Sequence, residues 1–526
     1  MVTFILSAFI LLLASLNVLK LIQIKEYFFP SLWSHFDYPS SYYIFFRRRE
    51  LFLYLLWILF FLLGLQGYLL KLDQFPFDIL FMPIIFIITL ALLFRKLEFL
   101  KTFNWTPKFL FICTLVFIIN YQLLKISSND LLIFISLSLT ALQFTISIFS
   151  TYIANLITKI YAKNVLYKKA RKKIIDWKNK KEGREVIGIT GSYAKSSTKE
   201  ILAQLLSKKY KVLKSPERLN AEIGLSQFII KSNLDDIDYI VLELGARQIG
   251  EIETLVEIFQ PKIVFLTGLA PQHLATFGSF ENIVLGKMEI FKKVVPDGIA
   301  LLNGNDKFVR EIFDDLTIPK KYLYSTEEGH FYSRGEIYSL DGTEFNFVYP
   351  REEIKLKTNL VGRSFLNNLV GALACAYLLG INIKDLEDEI KNIKLLKHSF
   401  EVVKKENPVI IDDSYNANLV GVEKGSEFFL EIPIKYRVLF FGGIIELGAE
   451  TKDLYKDLIN NFRKFDKVIL TFKDFSDIFL DELGKKVEIY NNQTIYELIK
   501  EFPKEDLGII VFGRIPEKLL YQIRSL

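Results

Sequence analysis

Between Val186 and Glu200 the chain reads Val-Ile-Gly-Ile-Thr-Gly-Ser-Tyr-Ala-Lys-Ser-Ser-Thr-Lys-Glu. A β-branched run ends at Thr190-Gly191, and a helical pattern from Lys199 to Leu206 begins just after Lys195. A strand, a tight turn and a helix N-terminus make an anion site, because unpaired backbone N–H groups and the helix dipole converge on one point. Gly191, Ser192, Tyr193 and Ala194 would form the turn that cradles a nucleotide's phosphates. Lys195 would reach the β- and γ-phosphates, and Ser196 or Ser197 could ligate Mg²⁺. Ala194 stands where a glycine is usual, so the loop is entered either at negative φ or with some strain. A purely structural strand–turn–helix is the competing reading of this stretch.

Other residues are placed to join such a site. Glu243 ends the apolar run Tyr239–Leu242, a strand-end position suited to a Mg²⁺ ligand or to a solvated loop carboxylate. His273 is one of only four histidines and follows the apolar run Ile263–Leu266. Asp412-Asp-Ser-Tyr-Asn-Ala-Asn418 is good turn chemistry whatever else it does.

The elements that must position these residues are short β-branched runs alternating with helical patterns. Tyr239–Leu242, Ile263–Leu266, Val438–Phe441, Lys467–Leu470 and Gly508–Val511 are examples. That alternation predicts an α/β class with a mainly parallel sheet. At 526 residues the chain is too long for one core. We expect a P-loop α/β domain over residues 176–395 and a smaller Rossmann-like domain over 396–526.

Apolar residues make up 51% of the chain and the mean hydropathy is +0.26, an excess carried by the first 150 residues. Five stretches approach the length of about 20 residues that a helix needs to cross a bilayer: Thr3–Leu19, Leu51–Leu70, Phe75–Phe94, Phe109–Leu124 and Leu131–Ser150. Basic residues crowd alternate loops, at Lys25 and Arg47–Arg49, at Arg95 to Lys108, and after Lys159. The positive-inside rule then predicts an outside N-terminus and cytoplasmic α/β domains, in the inner or plasma membrane. No basic region precedes the first stretch and no clear cleavage site follows it, so a removed signal peptide is not expected. Within the stretches ionisable residues are almost absent, which points to an anchor in the lipid bilayer rather than a transporter. Residues 151–175 form a basic connector, expected to lie along the anionic leaflet.

The net charge of +6 borders these apolar stretches, so nucleic acid is not expected as a partner. Cys113 and Cys375 belong to no C-x-x-C pair and imply neither a disulfide framework nor a zinc site.

The order of short motifs adds a resemblance. After the phosphate loop come Asn220-Ala-Glu-Ile-Gly224, Leu242-Glu-Leu-Gly245, Pro271-Gln-His-Leu-Ala-Thr-Phe-Gly-Ser279 and Lys287-Met-Glu-Ile-Phe291. Leu302-Asn-Gly-Asn-Asp306, the Asp412–Asn418 segment and Glu446-Leu-Gly448 follow. In this order residues 184–526 resemble the Mur ligase family, closest to its D-alanyl-D-alanine-adding members. The resemblance implies ATP and Mg²⁺ as cofactors and an amide ligase that works through an acyl phosphate. It implies Lys195, Glu243, His273 and Lys287 as catalytic, with Ser196, Glu243, His273 and a carbamylated Lys287 holding metal. Glu289, two residues on, would support Lys287. Asn303 and Asn368 would contact the nucleotide's base side, and Asp413 would reach the nucleotide from the C-terminal domain. Asn220, His398, Asn416 and Asn418 are implied on the substrate side, with a hinge near residues 394–398.

The chain departs from that family's pattern at Ala194, at Gly268, at Ala275, at Ser364-Phe365 and at His398. Phe512-Gly513-Arg514 matches the family's late basic motif only in part. The apolar first 150 residues stand where the family carries its UDP-sugar domain. A lipid-linked or membrane-proximal envelope precursor as acceptor, and an amino acid or dipeptide as amine donor, are therefore expected. A poly-amino-acid synthetase and a catalytically weak nucleotide-binding scaffold are the alternatives.

Overall fold

The computed structural model describes residues 160–292, 297–350, 352–444, 447 and 451–526. The five apolar stretches of the first 150 residues lie outside the described residues. Among the described residues no helix is long and apolar enough to cross a membrane.

A nine-stranded sheet organises the first domain, with strands ordered β2-β3-β1-β4-β5-β6-β7-β8-β9. Its parallel part comprises β1 (Glu185–Thr190), β2 (Val212–Lys214), β3 (Tyr239–Glu243), β4 (Ile263–Leu266), β5 (Ile299–Asn303) and β6 (Lys320–Ser325). Successive residues of these strands face opposite sides, and both sides are apolar. Ile187, Ile189, Tyr239, Val241, Ile263 and Phe265 enter one core, whereas Val186, Ile240, Leu242, Val264 and Leu266 enter the other. A sheet covered on both faces needs such unbroken apolar strands, which is why the runs read as continuous rather than alternating. β7 (Phe331–Ser339) continues the sheet beside β6, and β8 (Gly342–Tyr349) and β9 (Glu352–Thr358) extend it with antiparallel pairing. The sheet is thus mainly parallel with an antiparallel margin.

The second sheet is ordered β10-β11-β15-β12-β13-β14. β11 (Val409–Asp413), β12 (Tyr436–Phe441), β13 (Lys467–Leu470), β14 (Val487–Ile489) and β15 (Leu507–Phe512) run parallel, and β10 (Glu401–Lys404) is an antiparallel edge. Here too the two faces feed separate cores, Ile510 and Phe512 on one side and Ile509 and Val511 on the other. Between the domains, His398 (φ 63°) and Phe400 (φ 50°) both take left-handed backbone.

The described end of the basic connector enters a helix, Tyr167–Asn179, that packs on the first domain. Ala170, Ile174 and Trp177 form one stripe at helical spacing and are buried. Lys173 Nζ donates to the carbonyls of Ile230 (2.7 Å) and Ser232 (2.6 Å), and Trp177 Nε1 donates to that of Ile237 (3.0 Å). Lys168, Lys169, Arg171 and Lys172 remain exposed on the opposite side. Its apolar stripe is spent on protein, so this helix cannot also sink that stripe into a leaflet.

Candidate active site

The sheet order places β1 between β3 and β4, with Ile189 beside both Glu243 and Phe265 and Thr190 beside Leu266. Loops leaving the carboxyl ends of three adjacent parallel strands therefore meet at one edge, the usual position for ligands on open α/β sheets.

The loop after β1 carries Gly191 to Ala194 into the helix Lys195–Leu206. Gly191 has φ 147°, and a Cβ there would lie 2.2 Å from Thr267 Oγ1, so only glycine fits. Ala194 takes φ 63°, the strained alternative for this turn. Lys195 Nζ folds back onto the carbonyl of Gly191 at 2.6 Å. Burial lowers the lysine below its ordinary range, an effect that Glu243 opposes. Ser192 Oγ is buried without a hydrogen-bond partner, as suits a loop shaped for an anion's oxygens.

Tyr193 links this loop to the next ones. Its hydroxyl donates to Asp306 Oδ2 at 2.7 Å, and the same oxygen accepts from Leu269 N at 2.8 Å. Burial foremost, then Asp306, pushes the phenol far above its ordinary range. The ring lies over Gly268, where a Cβ would come within 2.1 Å of Tyr193 Cζ. The departure at Gly268 is thus the space that the Tyr193 ring occupies.

Glu243 is 4% exposed. Ser196 Oγ donates to its Oε2 at 2.8 Å, and Asn220 Nδ2 donates to its Oε1 at 3.0 Å. A hydroxyl and a carboxylate side by side at a helix N-terminus are hard oxygen donors of the kind Mg²⁺ takes together with phosphate oxygens, so these residues fit a nucleotide-bound Mg²⁺. Asn220, expected on the substrate side, spends its amide on orienting Glu243.

Lys287 lies in the last turn of the helix Phe280–Met288 and is 2% exposed. Its Nζ donates to the carbonyl of Ala246 at 3.3 Å, in the loop after β3. Burial, reinforced by the charge of Lys195, pushes its ammonium down to about 7. Glu289 does not bond to it. Its carboxylate accepts from Gly250 N (2.7 Å) and Glu253 N (3.1 Å), capping the helix Glu251–Phe259, and it reaches Lys287 only as a charge. His273 opens the four-residue helix Leu274–Phe277 after β4, with left-handed backbone at φ 58°.

Asn303, at the end of β5, is buried and its side chain is occupied by protein. Its Nδ2 donates to the carbonyl of Thr267 (2.8 Å), and its Oδ1 accepts from Asn305 N (2.9 Å) and Asn367 Nδ2 (2.8 Å). Asn367, one residue before the expected Asn368, makes this contact, although both are buried. Phe365, standing where the family has asparagine, packs against Phe400 of the second domain at 5.9 Å between ring centres.

The second domain brings Asp413 to the end of β11. Burial pushes its carboxyl up to about 7, although it accepts from Phe400 N at 2.9 Å. Asn418 caps the helix Leu419–Glu431 through Gly421 N, and Asn416 is exposed. His398 Nδ1 lies 2.7 Å from Asp412 Oδ2. Arg524 pairs with Asp412 and, at 2.9 Å, with Glu401, so a cation already sits among these groups. Arg218, in the loop leading to Asn220, stacks on Tyr415 at 5.2 Å, which joins the two domains near Glu243.

Sequence reasoning missed Asp306, Asn367, Lys199 and Arg524. Asp306 was visible as the end of the Leu302–Asp306 motif. Lys199 was visible only as a helical repeat after Lys195 and Ser196, whereas Asn367 and Arg524 bond to residues far away in the chain and left no local signal.

A phosphate-loop α/β domain joined to a Rossmann-like α/β domain, with its polar residues gathered at one carboxyl edge, defines the class of this protein. Residues 189–376 match the Mur ligase middle domain, and residues 400–513 match the Mur ligase, glutamate ligase domain. Through these two domains the chain belongs to the Mur ligase family. It is 30% identical over 279 residues to the UDP-N-acetylmuramoyl-tripeptide–D-alanyl-D-alanine ligase of Escherichia coli (strain K12). That match covers 52% of this chain and 61% of the relative's length. In fold it is similar to MurF from Acinetobacter baumannii, with a TM-score of 0.61 and 24% identity over 69% of this chain and 80% of that one. MurF ligase from Thermotoga maritima in complex with ADP gives a TM-score of 0.60, with 24% identity over 69% of this chain and 83% of that one.

Two outcomes are expected here. Ala194→Gly removes a left-handed Cβ and raises stability by about 1 kcal/mol, read from the shift in thermal unfolding. Lys287 is a free amine above its lowered pKa and unreactive below it. With ¹³C-bicarbonate, a carbamate resonance should therefore appear at neutral pH, fade below about pH 6 and be absent from Lys287→Arg.

Proposed function

We propose that this chain is an ATP-dependent ligase that joins a carboxylate to an amine in the assembly of a cell-envelope precursor, and that it is anchored in a membrane. The observation that carries the ligase reading is the Ser196–Glu243–Asn220 set beside Lys195, at the same sheet edge as the loop beneath Lys287.

In the proposed reaction a carboxylate oxygen of the acceptor attacks the γ-phosphorus of ATP, and ADP leaves. The amine nitrogen then attacks the acyl carbon. The C–N bond forms as the C–O bond breaks, phosphate departs, and the amine gives up its proton. Little of this is covalent work for the protein, which positions the reactants and neutralises charge. Lys195, held at the mouth of the loop, turns from the Gly191 carbonyl to the transferring phosphate. Ser196 and Glu243 would hold one Mg²⁺, and His273 with a carbamylated Lys287 a second. The metal, when bound, spreads the negative charge of the phosphate oxygens. A carbamate turns Lys287 from a cation into an oxygen ligand, and its lowered pKa supplies the neutral amine that reacts with CO₂. Asp413, from the second domain, would approach the nucleotide once the domains close.

The Escherichia coli relative is named for adding D-alanyl-D-alanine to a UDP-N-acetylmuramoyl tripeptide. For this chain we propose a related exchange with a different acceptor, lipid-linked or close to a membrane, and an amino acid or dipeptide as the amine. The five apolar stretches before residue 150 support this reading. So does the outward basic face of the helix Tyr167–Asn179, whose charge suits an anionic leaflet.

Full-length protein in nanodiscs, supplied with ATP and Mg²⁺, should release ADP only when acceptor and amine are both present. Lys195→Ala should lower that rate by about 10²-fold or more. Nucleotide binding without turnover for any substrate pair would mark a nucleotide-binding scaffold instead. Anchoring has its own check, since the chain should stay with carbonate-washed membranes; recovery in the wash would remove the anchor from the proposal.

A further inference from the structure

The helix Lys195–Leu206 turns a third residue toward Glu243. Lys199 lies three residues after Ser196 and four after Lys195, so the helical repeat sets all three along one side. Its side chain is completely buried, and Nζ has no hydrogen-bond partner. It stands 3.9 Å from Glu243 Oε2 and 3.4 Å from Glu200 Oε1. Glu200 is also paired with Lys214 of β2, while both oxygens of Glu243 accept from the neutral donors Ser196 and Asn220. Among the described residues Lys199 is therefore the cation at ion-pair distance from Glu243, acting by charge alone, with Lys195 acting on the same carboxylate from farther off.

Packing does not call for an ammonium at this place. A methionine would fill similar space without the desolvation cost, since buried ion pairs are seldom better than apolar residues of like volume. Charge at this point has one evident consequence. With Lys195 nearby, a fixed positive charge behind Glu243 opposes the approach of a free divalent cation. Nucleotide phosphates reverse the sign of the local field, and the cation becomes welcome.

We infer that Lys199 is a positioning residue that serves as a built-in counter-charge for Glu243. It holds the carboxylate in place while no divalent cation is bound, and it makes cation binding conditional on nucleotide. The inference rests on the proposed role of Glu243 as a metal ligand.

The test is direct binding of Mn²⁺, followed by the electron paramagnetic resonance signal of the free ion, with and without ADP, on the full-length chain. Wild type should bind Mn²⁺ at this site weakly alone and tightly with ADP. Lys199→Met should bind Mn²⁺ without nucleotide about tenfold more tightly than wild type, so the gain from ADP shrinks. Lys199→Arg should behave as wild type. Lys199→Gln carries the same expectation should the methionine variant not fold. A folded neutral variant whose Mn²⁺ affinity without ADP matches wild type within about twofold, or is weaker, overturns the inference. If Glu243→Gln leaves wild-type Mn²⁺ binding with ADP unchanged, Glu243 is not the ligand, and the parent reading falls with the inference.

Discussion

A carboxylate at the end of a buried strand is stable only while its oxygens and its charge are answered, and Glu243 is answered from two separate segments. Ser196 and Lys199 arrive together on the phosphate-loop helix, Lys199 without a hydrogen bond, and Asn220 arrives on the loop before the next helix. This convergence needs β1 to lie between β3 and β4, so that the helix leaving β1 passes the end of β3. The order of the strands and the chemistry of the edge are thus one constraint. A strand exchanged in the sheet would leave a buried acid without partners, at a cost of several kcal/mol.

The phosphate loop shows how departures from a family pattern can compensate one another. Ala194 adopts a left-handed conformation that glycine would take freely. The same loop is braced by Tyr193, whose ring fills the space above Gly268 and whose hydroxyl ties it to Asp306. Asp306 caps the helix Lys307–Phe313 through Val309 N and also holds Leu269 N. One carboxylate therefore joins three loops of the sheet edge, and the strain at Ala194 sits inside a framework that does not yield easily.

At the domain junction the same logic is apolar. Phe365 meets Phe400, and Phe400 meets Phe428. The polar work moves to Asp412. Its burial would raise the carboxyl, but His398, Ser414 and Arg524 outweigh that and hold it below the usual range. Because Arg524 comes from the last helix, Glu517–Arg524, the chain's final turn braces the start of the second sheet.

Much of this was legible in the residues alone. Strand runs such as Ile263–Leu266 were recognisable because a doubly covered sheet demands unbroken apolar residues, and the phosphate loop because a lysine and serines follow a strand and a tight turn. Glu243 could be placed at a strand end by the same reasoning. Partnership could not be read, because it depends on which strands lie side by side. Asn220 and Glu243 are 23 residues apart, and only the pairing of β2 beside β3, with the loop after β2, brings them to 3.0 Å. Asn367 rather than Asn368 reaches Asn303, because neighbouring residues of one helix point in different directions. The basic residues from Lys168 to Lys173 read as a charged segment, yet the stripe of Ala170, Ile174 and Trp177 commits the helix Tyr167–Asn179 to the domain. Local sequence sets the conformation each segment prefers and the chemistry it carries. Tertiary structure decides which charges are buried together, because burial and partnership belong to the whole sheet.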